Sequence, residues 1–395
     1  MARVAVVGGG RVDIAPPSVF DRVPDELLLS IFGAVAASSG PSSLIELHQK
    51  REACTEPIKA RSALRLVCKR WFLAIGHEQT AWIDSTSAAR LIETFSTGRQ
   101  SRRLKSMRLD FKGNYELWRE IGQLTRLAPE VQHLALCCYL PQEATLWLGP
   151  LDWSRLRSFA CAEISYSLLE PLLVSPTSQL VDLRIGGVHG VPSRLFNLTV
   201  KLSRLHLGVR SRQCNDLLRQ LVQSSRYSLQ HLDLSVFPGT GQQIDWSISE
   251  AVSPATRNLR TFKLDGATPV LDNAFLGQLT SVTVLSLGDY GRAYTSPFPE
   301  FLSQQRTPHL LSLFLTWSFK RARDKLDWEW SDLVSALERR RDNAALVVDV
   351  NVSGTLHDYD QTIRVARKAL EGRMPSRTDI TLTYWPGQPF KLLAM

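Results

Sequence analysis

From residue 104 onward one arrangement of positions recurs: an apolar residue, two variable residues, an apolar residue, one variable residue and a further apolar residue. It reads LKSMRL at 104, VQHLAL at 131, LRSFAC at 156, LVDLRI at 180, LSRLHL at 202, LQHLDL at 229, LRTFKL at 259, VTVLSL at 282 and LLSLFL at 310. Successive starts are closest between 180 and 202 and furthest between 229 and 259. Alternation of period two predicts a strand with one buried face. Its return at this interval predicts a repeat array in which each unit buries its apolar face only by stacking on its neighbours. ALVVDV at 345 and RTDITL at 377 are weaker copies that would extend the array after a longer connection.

Between the strand motifs lie segments of helical periodicity, such as NDLLRQLVQ at 215–223 and WSDLVSALERR at 330–340. Strand alternating with helix at the leucine-rich-repeat period predicts an α/β architecture, a curved parallel sheet with helices outside. Three positions after the last strand residue, where leucine-rich repeats usually place Asn or Cys, stand Lys112, Tyr139, Ile164, Val188, Arg210, Phe237, Ala267, Tyr290 and Ser318. Without an asparagine ladder the coils should be irregular. Residues between the core leucines point to the opposite, concave face. On the central repeats these are Asp182, Arg184, Arg204, His206, His231, Asp233, Thr261, Lys263 and Asp265. Ala135, Ser158 and Ala160 precede them, and Phe314 with Trp317 follows. Charges of both signs either keep such a face soluble or select a protein substrate, because a wrong partner would leave some of them unpaired.

Composition narrows the classes. The 395 residues are 44% hydrophobic and 22% charged, which is globular. A net charge of +9 raises the question of nucleic acid or an anionic surface. The local basic clusters, Arg102-Arg103 with Lys105, Lys320-Arg321-Arg323 and Arg339-Arg340-Arg341, lack the interleaved aromatics of a single-strand binder, and no nucleic-acid partner is expected. None of the six cysteines forms a C-x-x-C pair, so neither a zinc site nor a disulfide framework is indicated, and an intracellular compartment, cytoplasmic or nuclear, is expected. MARVAVVGGG is too short for a secretory apolar region. No apolar run reaches the length of a bilayer-spanning helix, so no membrane association is expected. VAVVGGGRVD imitates a dinucleotide site, but Asp13 falls where the third glycine should, and Pro16-Pro17 stand where the helix should start. No cofactor is expected. His133, His206 and His231 lie on strand motifs without an accompanying acid or nucleophile spacing, so neither a catalytic nor a metal site is expected.

Upstream, VPDELLLSIF at 23–32 predicts a helix, with Pro24 in its first turn and Asp25 and Glu26 at the positive end of its dipole. Leu27, Leu28, Ile31 and Phe32 form its apolar stripe. LRLVCKRWFLAI at 64–75 predicts a second helix, closed by Gly76 and apolar on more than one side. With TAWIDS at 80–85 these segments resemble the F-box, a Leu-Pro-x-Glu-Leu-Leu-x-x-Ile-Phe helix, then Val-Cys-Lys-x-Trp, then a downstream Trp. Joined to leucine-rich repeats, they make the chain similar to the F-box/leucine-rich-repeat proteins, in a style like fungal examples.

The resemblance implies a small all-helical F-box followed by an irregular leucine-rich-repeat solenoid. The expected boundaries are a tail at 1–18, the F-box at 19–85 with an insertion at 39–61, a linker at 86–103, repeats at 104–385 and a tail at 386–395. It further implies a non-catalytic substrate receptor of a Skp/cullin/F-box ubiquitin ligase. A Skp-type adaptor, and through it a cullin, would engage Pro24, Leu27, Leu28, Ile31, Phe32, Leu66, Val67, Cys68, Lys69 and Trp71. Those residues serve the docking face or the module's own core. The alternatives are an F-box protein acting outside a ligase and a leucine-rich-repeat scaffold for protein interactions.

Overall fold

In the computed structural model the chain divides into two compact units, Met1–Gln79 and Thr80–Met395. The structure describes residues 80–84, 88–97, 104–110, 118–140, 144, 153–195, 197–236, 247–266, 273–288, 308–318, 326–339, 346–353, 356–371, 378–384 and 389–393. All belong to the second unit. The expected F-box helices, with every residue from Pro24 to Trp71 named above, lie outside the described residues, as do the tail at 1–18 and the insertion at 39–61.

The second unit is mixed α/β. Its strands are β1 (Thr80–Asp84), β2 (Ser106–Asp110), β3 (His133–Leu140), β4 (Ser158–Ser165), β5 (Asp182–Ile185), β6 (Val188–His189) and β7 (Arg204–Val209). They continue with β8 (His231–Val236), β9 (Thr261–Gly266), β10 (Val284–Leu287), β11 (Ser312–Ser318), β12 (Leu346–Ser353), β13 (Thr378–Tyr384) and β14 (Pro389–Leu393). Along one hydrogen-bonded path, β1 to β5 and β7 to β13 are parallel and follow chain order, while β6 pairs with β4 and β14 closes the sheet antiparallel to β13. Among the described residues the helices are α1 (Ala88–Thr97), α2 (Trp118–Leu127), α3 (Tyr166–Val174), α4 (Arg212–Ser224), α5 (Ile248–Val252), α6 (Asn273–Leu276), α7 (Leu326–Arg339) and α8 (Leu356–Leu370).

Each of the nine motifs buries its three apolar positions, from Leu104, Met107 and Leu109 to Leu310, Leu313 and Leu315, and none of them is more than 9% exposed. The helices bury their apolar stripes in the same continuous core, as Leu217, Leu218, Leu221 and Val222 of α4 do against Leu205 and Leu207 of β7. At the start of α4, Ser211 accepts a hydrogen bond from the backbone N–H of Cys214 at 3.3 Å, an N-cap that fixes where the helix begins.

Register is set at the second motif position. The carbonyl of Lys105 accepts from the N–H groups of both Gln132 and His133, and the carbonyl of Gln132 from those of Arg157 and Ser158. Arg157, Val181, Ser203, Gln230, Arg260 and Thr283 repeat the arrangement, the last accepting from Leu311 and Ser312. All these bonds measure 2.7–3.1 Å. Repeats of unequal length, the shortest running from 180 to 202 and the longest from 229 to 259, therefore return to one register.

Several boundaries differ from expectation. Thr80–Asp84, expected within the F-box, pairs in parallel with β2 as the first strand of the sheet, and Ile83 is fully buried there. The expected linker contains α1, whose Ala88 joins the core. The C-terminal tail contributes β14. The two strands share a cause: an edge strand needs only one partner, so β1 and β14 add to the sheet without carrying the full motif.

The expected irregularity is present. β5 breaks at Gly186–Gly187, and β6 then pairs its Val188 with Ile164, so buried apolar side chains stand where an asparagine ladder would. At the break the backbones approach closely. A Cβ on Gly186 would lie 2.5 Å from the carbonyl oxygen of Ala162, and one on Gly208 would collide with the carbonyl of Gly186. Gly208→Ala is therefore expected to destabilise the sheet by about 1–3 kcal/mol. Gly187→Ala, whose Cβ would meet only the movable guanidinium of Arg210 at 3.2 Å, should cost less than about 1 kcal/mol. Urea unfolding of both variants checks the ordering.

Candidate binding face of the sheet

Period two places the residues between the motif leucines on the face opposite the core, and parallel register aligns them in rows. One row runs Asp182, Arg204, His231, Thr261, Val284, Ser312 and Val347 across β5 to β12. The adjoining row runs Arg184, His206, Asp233, Lys263, Ser286, Phe314 and Asp349. The charged residues expected on the central repeats thus occupy two neighbouring rows. Asp265 sits one position further, opposite Ser235.

The charges within these rows are not equivalent. Arg184 donates two hydrogen bonds to Asp182 on its own strand, Nε to Oδ1 at 3.0 Å and Nη2 to Oδ2 at 2.9 Å. His206 Nδ1 lies 3.2 Å from Asp233 Oδ2, within ion-pair range but without the alignment of a hydrogen bond. The His206 side chain is only 8% exposed and so is packed among its neighbours more than it is offered to solvent. His231 Nδ1 stands 3.1 Å from the Thr261 hydroxyl. Burial, followed by the nearby Arg204 and Arg260 cations, holds its imidazole below the ordinary histidine value. The exposed Arg204 and half-buried Lys263 make no side-chain hydrogen bond or ion pair among the described residues. Towards the C-terminal strands the rows carry two exposed apolar side chains, Phe314 at 39% and Val347 at 42%, among Ser286, Ser312 and Asp349.

On the N-terminal side, the same rows bury Ala160 and Arg108, the latter on β2. Arg108 stands in the same row as the small Ala135 and Ala160 of the early repeats. Its place in the row follows from LKSMRL, where it occupies the variable position between Met107 and Leu109.

A second polar cluster lies past the leucine face, at the ends of β3, β4 and β6. Glu163 accepts hydrogen bonds from Arg210 Nη2 at 2.5 Å and, through its other oxygen, pairs with His189 Nε2 at 3.0 Å. Tyr139 meets the His189 ring edge-on at 5.4 Å. Burial pushes the Glu163 carboxyl up, yet the hydrogen bonds and charges of His189 and Arg210 outweigh it and hold the group below its ordinary value. The repeat pattern does not announce this cluster. Its only trace in the sequence is that Tyr139 and Arg210 replace the usual ladder residue.

Cys137, Cys138, Cys161 and Cys214 are not joined in disulfides. Cys161 is fully buried, and that burial pushes its thiol well above the ordinary value, so it offers little thiolate for nucleophilic chemistry. Among the described residues no three His, Cys, Asp or Glu side chains converge as metal ligands do, and no helix is long and apolar enough to cross a membrane. No protein-family model and no curated protein matches the chain.

Because the folded state depresses the Glu163 pKa, its stabilising contribution is present above the unfolded value of 4.5 and is lost as the pH falls through the folded value. Glu163→Gln should lower the thermal midpoint at neutral pH by a few degrees. It should also flatten the decline that the parent chain shows below pH 4.5. Thermal melts of both proteins across that range measure the difference.

Proposed function

We propose that the chain is a non-catalytic substrate receptor of a Skp/cullin/F-box ubiquitin ligase, built from an N-terminal F-box and an irregular leucine-rich-repeat solenoid. The observation that carries this reading is the order of motifs along the chain. VPDELLLSIF and LRLVCKRWFLAI, two helix-forming segments with more apolar surface than a module of their size can bury alone, precede an array whose sheet leaves a polar face beside its core. The first part would hold a Skp-type adaptor. The second would hold a protein substrate for ubiquitin transfer performed by other subunits. No bond chemistry is assigned to the chain itself.

The adaptor-facing anchors are Pro24, Leu27, Leu28, Ile31 and Phe32 of the first segment and Leu66, Val67, Cys68, Lys69 and Trp71 of the second. Buried aromatic and leucine anchors carry most of an interface's energy. Combining Leu28→Ala with Trp71→Ala should therefore lower adaptor capture at least about tenfold and leave the sheet's circular-dichroism signal in place. Pull-down with adaptor and cullin reads the outcome. Capture of both by the parent chain and of neither by the double variant supports the proposal. Adaptor without cullin would assign the protein a role outside the ligase, and unchanged capture by the variant would remove the F-box reading.

A further inference from the structure

We propose that the edge of the sheet where the central strands begin is a binding track for a single-stranded polynucleotide, with Tyr227 as a platform on which one base stacks. Neither the F-box nor the rows of the sheet face take part in it.

Parallel strands in chain order place the turns that lead into them on one edge of the sheet. Those entering β4, β5, β7, β8 and β9, at 153–157, 175–181, 199–203, 225–230 and 255–260, are bonded to one another. The Val181 N–H donates to the Arg157 carbonyl at 2.9 Å and Ser203 Oγ to the Val181 carbonyl at 3.1 Å. The Leu202 N–H donates to Ser225 Oγ at 2.9 Å and Asn258 Nδ2 to the Arg226 carbonyl at 2.8 Å. These five turns carry Arg155, Arg157, Lys201, Arg226, Arg257 and Arg260, all exposed, and no acid. None of the six belongs to the basic clusters of the sequence, because only the fold files them along one edge.

The acids beside the track are already matched. Asp182, the first residue of β5, is held at both oxygens by Arg184 and has Arg204 opposite it. Glu130, in the turn before β3, accepts a hydrogen bond from Lys105 Nζ and lies in the field of Arg155. Asp233 and Asp265 lie further along their strands. At about 3.3 Å per residue they stand about 10 Å from Gln230 and about 16 Å from Arg260, beyond the screening length of about 8 Å at physiological salt. The field along the track is therefore positive.

Charge spacing selects the occupant. The five strand starts span four inter-strand steps of about 4.8 Å, about 19 Å in all. A stacked nucleic-acid strand carries a phosphate about every 3.4 Å, so about six fall within that span. An extended acidic peptide turns alternate side chains away and offers a carboxylate about every 6.6 Å, about three in all, leaving half of the cations unmatched. Tyr227 supplies what charge alone does not. It is 80% exposed, and the Arg226 guanidinium lies 4.5 Å from its ring centre, so one face of the ring rests on a cation and the other is open to a base. A bilayer would find only Val181 and Tyr227 as exposed large apolar side chains on these turns, too little for interfacial anchoring.

The test uses the full chain with fluorescent oligothymidylate and oligouridylate of about twelve nucleotides, long enough to cover the track. Fluorescence anisotropy should find at least one of them bound about tenfold more tightly than polyglutamate of equal length. A preference between the two assigns DNA or RNA. The logarithm of affinity should fall with the logarithm of salt at a slope of about −3 to −4, about 0.7 for each phosphate engaged. Arg226→Gln with Arg257→Gln should weaken binding at least about tenfold and make the slope shallower by about 1.4. Tyr227→Ala should weaken it about fivefold with the slope unchanged, and Tyr227→Phe, which keeps the ring, should restore it. All three positions are exposed, so the thermal midpoint should not move. Arg155→Gln with Lys201→Gln serves if the first pair disturbs the fold. Polyglutamate bound as tightly as the oligonucleotides would overturn the proposal, as would a salt slope that neither pair of arginine and lysine changes alters, or equal binding by Tyr227→Ala. Tighter binding to vesicles of phosphatidylserine and phosphatidylcholine, lost in the same variants, would give the edge to a membrane and overturn it too.

Discussion

A single backbone carbonyl, at the second motif position of eight of the nine repeats, accepts the N–H groups of two consecutive residues at the start of the next strand. Eight such junctions in succession, from Lys105 to Thr283, align strands whose connections are unequal, the repeat from 229 to 259 being visibly longer than that from 180 to 202. Because side chains alternate with period two, a slip of one residue at any junction would turn every leucine of that strand out of the core. The buried core and the polar rows both depend on this alignment. Loop length is tolerated because closing a longer loop adds little entropy cost, whereas register tolerates almost nothing.

The leucine pattern made the parallel sheet legible, since three apolar positions per motif are what a strand with one buried face requires, and all are buried in the structure. The weak copies at 345 and 377 could be read for the same reason, with Val348, Val350 and Ile380 fully buried. Edge elements were harder to see. TAWID carries one described core residue, Ile83, and a strand paired on one side does not need the full motif. The segment from 386 supplies β14 by antiparallel pairing, which a repeat pattern built on parallel strands does not announce.

Which residues share the candidate face was equally legible, because period two alone assigns it. Their pairing was not. The pair of hydrogen bonds from Arg184 to Asp182 depends on a side-chain rotamer, and the burial of His206 depends on its neighbours across the sheet. From sequence, Arg184 and Lys263 are the same kind of residue. In the structure one is committed to an intramolecular acid, and the other makes no such bond among the described residues. The Glu163 cluster illustrates the same limit, since its hydrogen bond from Arg210 joins residues 47 positions apart.

Hydrogen exchange resolved to single amides tests the register most directly. At each of the eight junctions both amides that share a carbonyl, such as Arg157 with Ser158 and Arg260 with Thr261, should exchange slowly and with similar protection. Amides at exposed turns such as Arg226 and Tyr227 should exchange fast. Rapid exchange at one member of most junction pairs would contradict the shared-carbonyl register, and with it the rows that form the face.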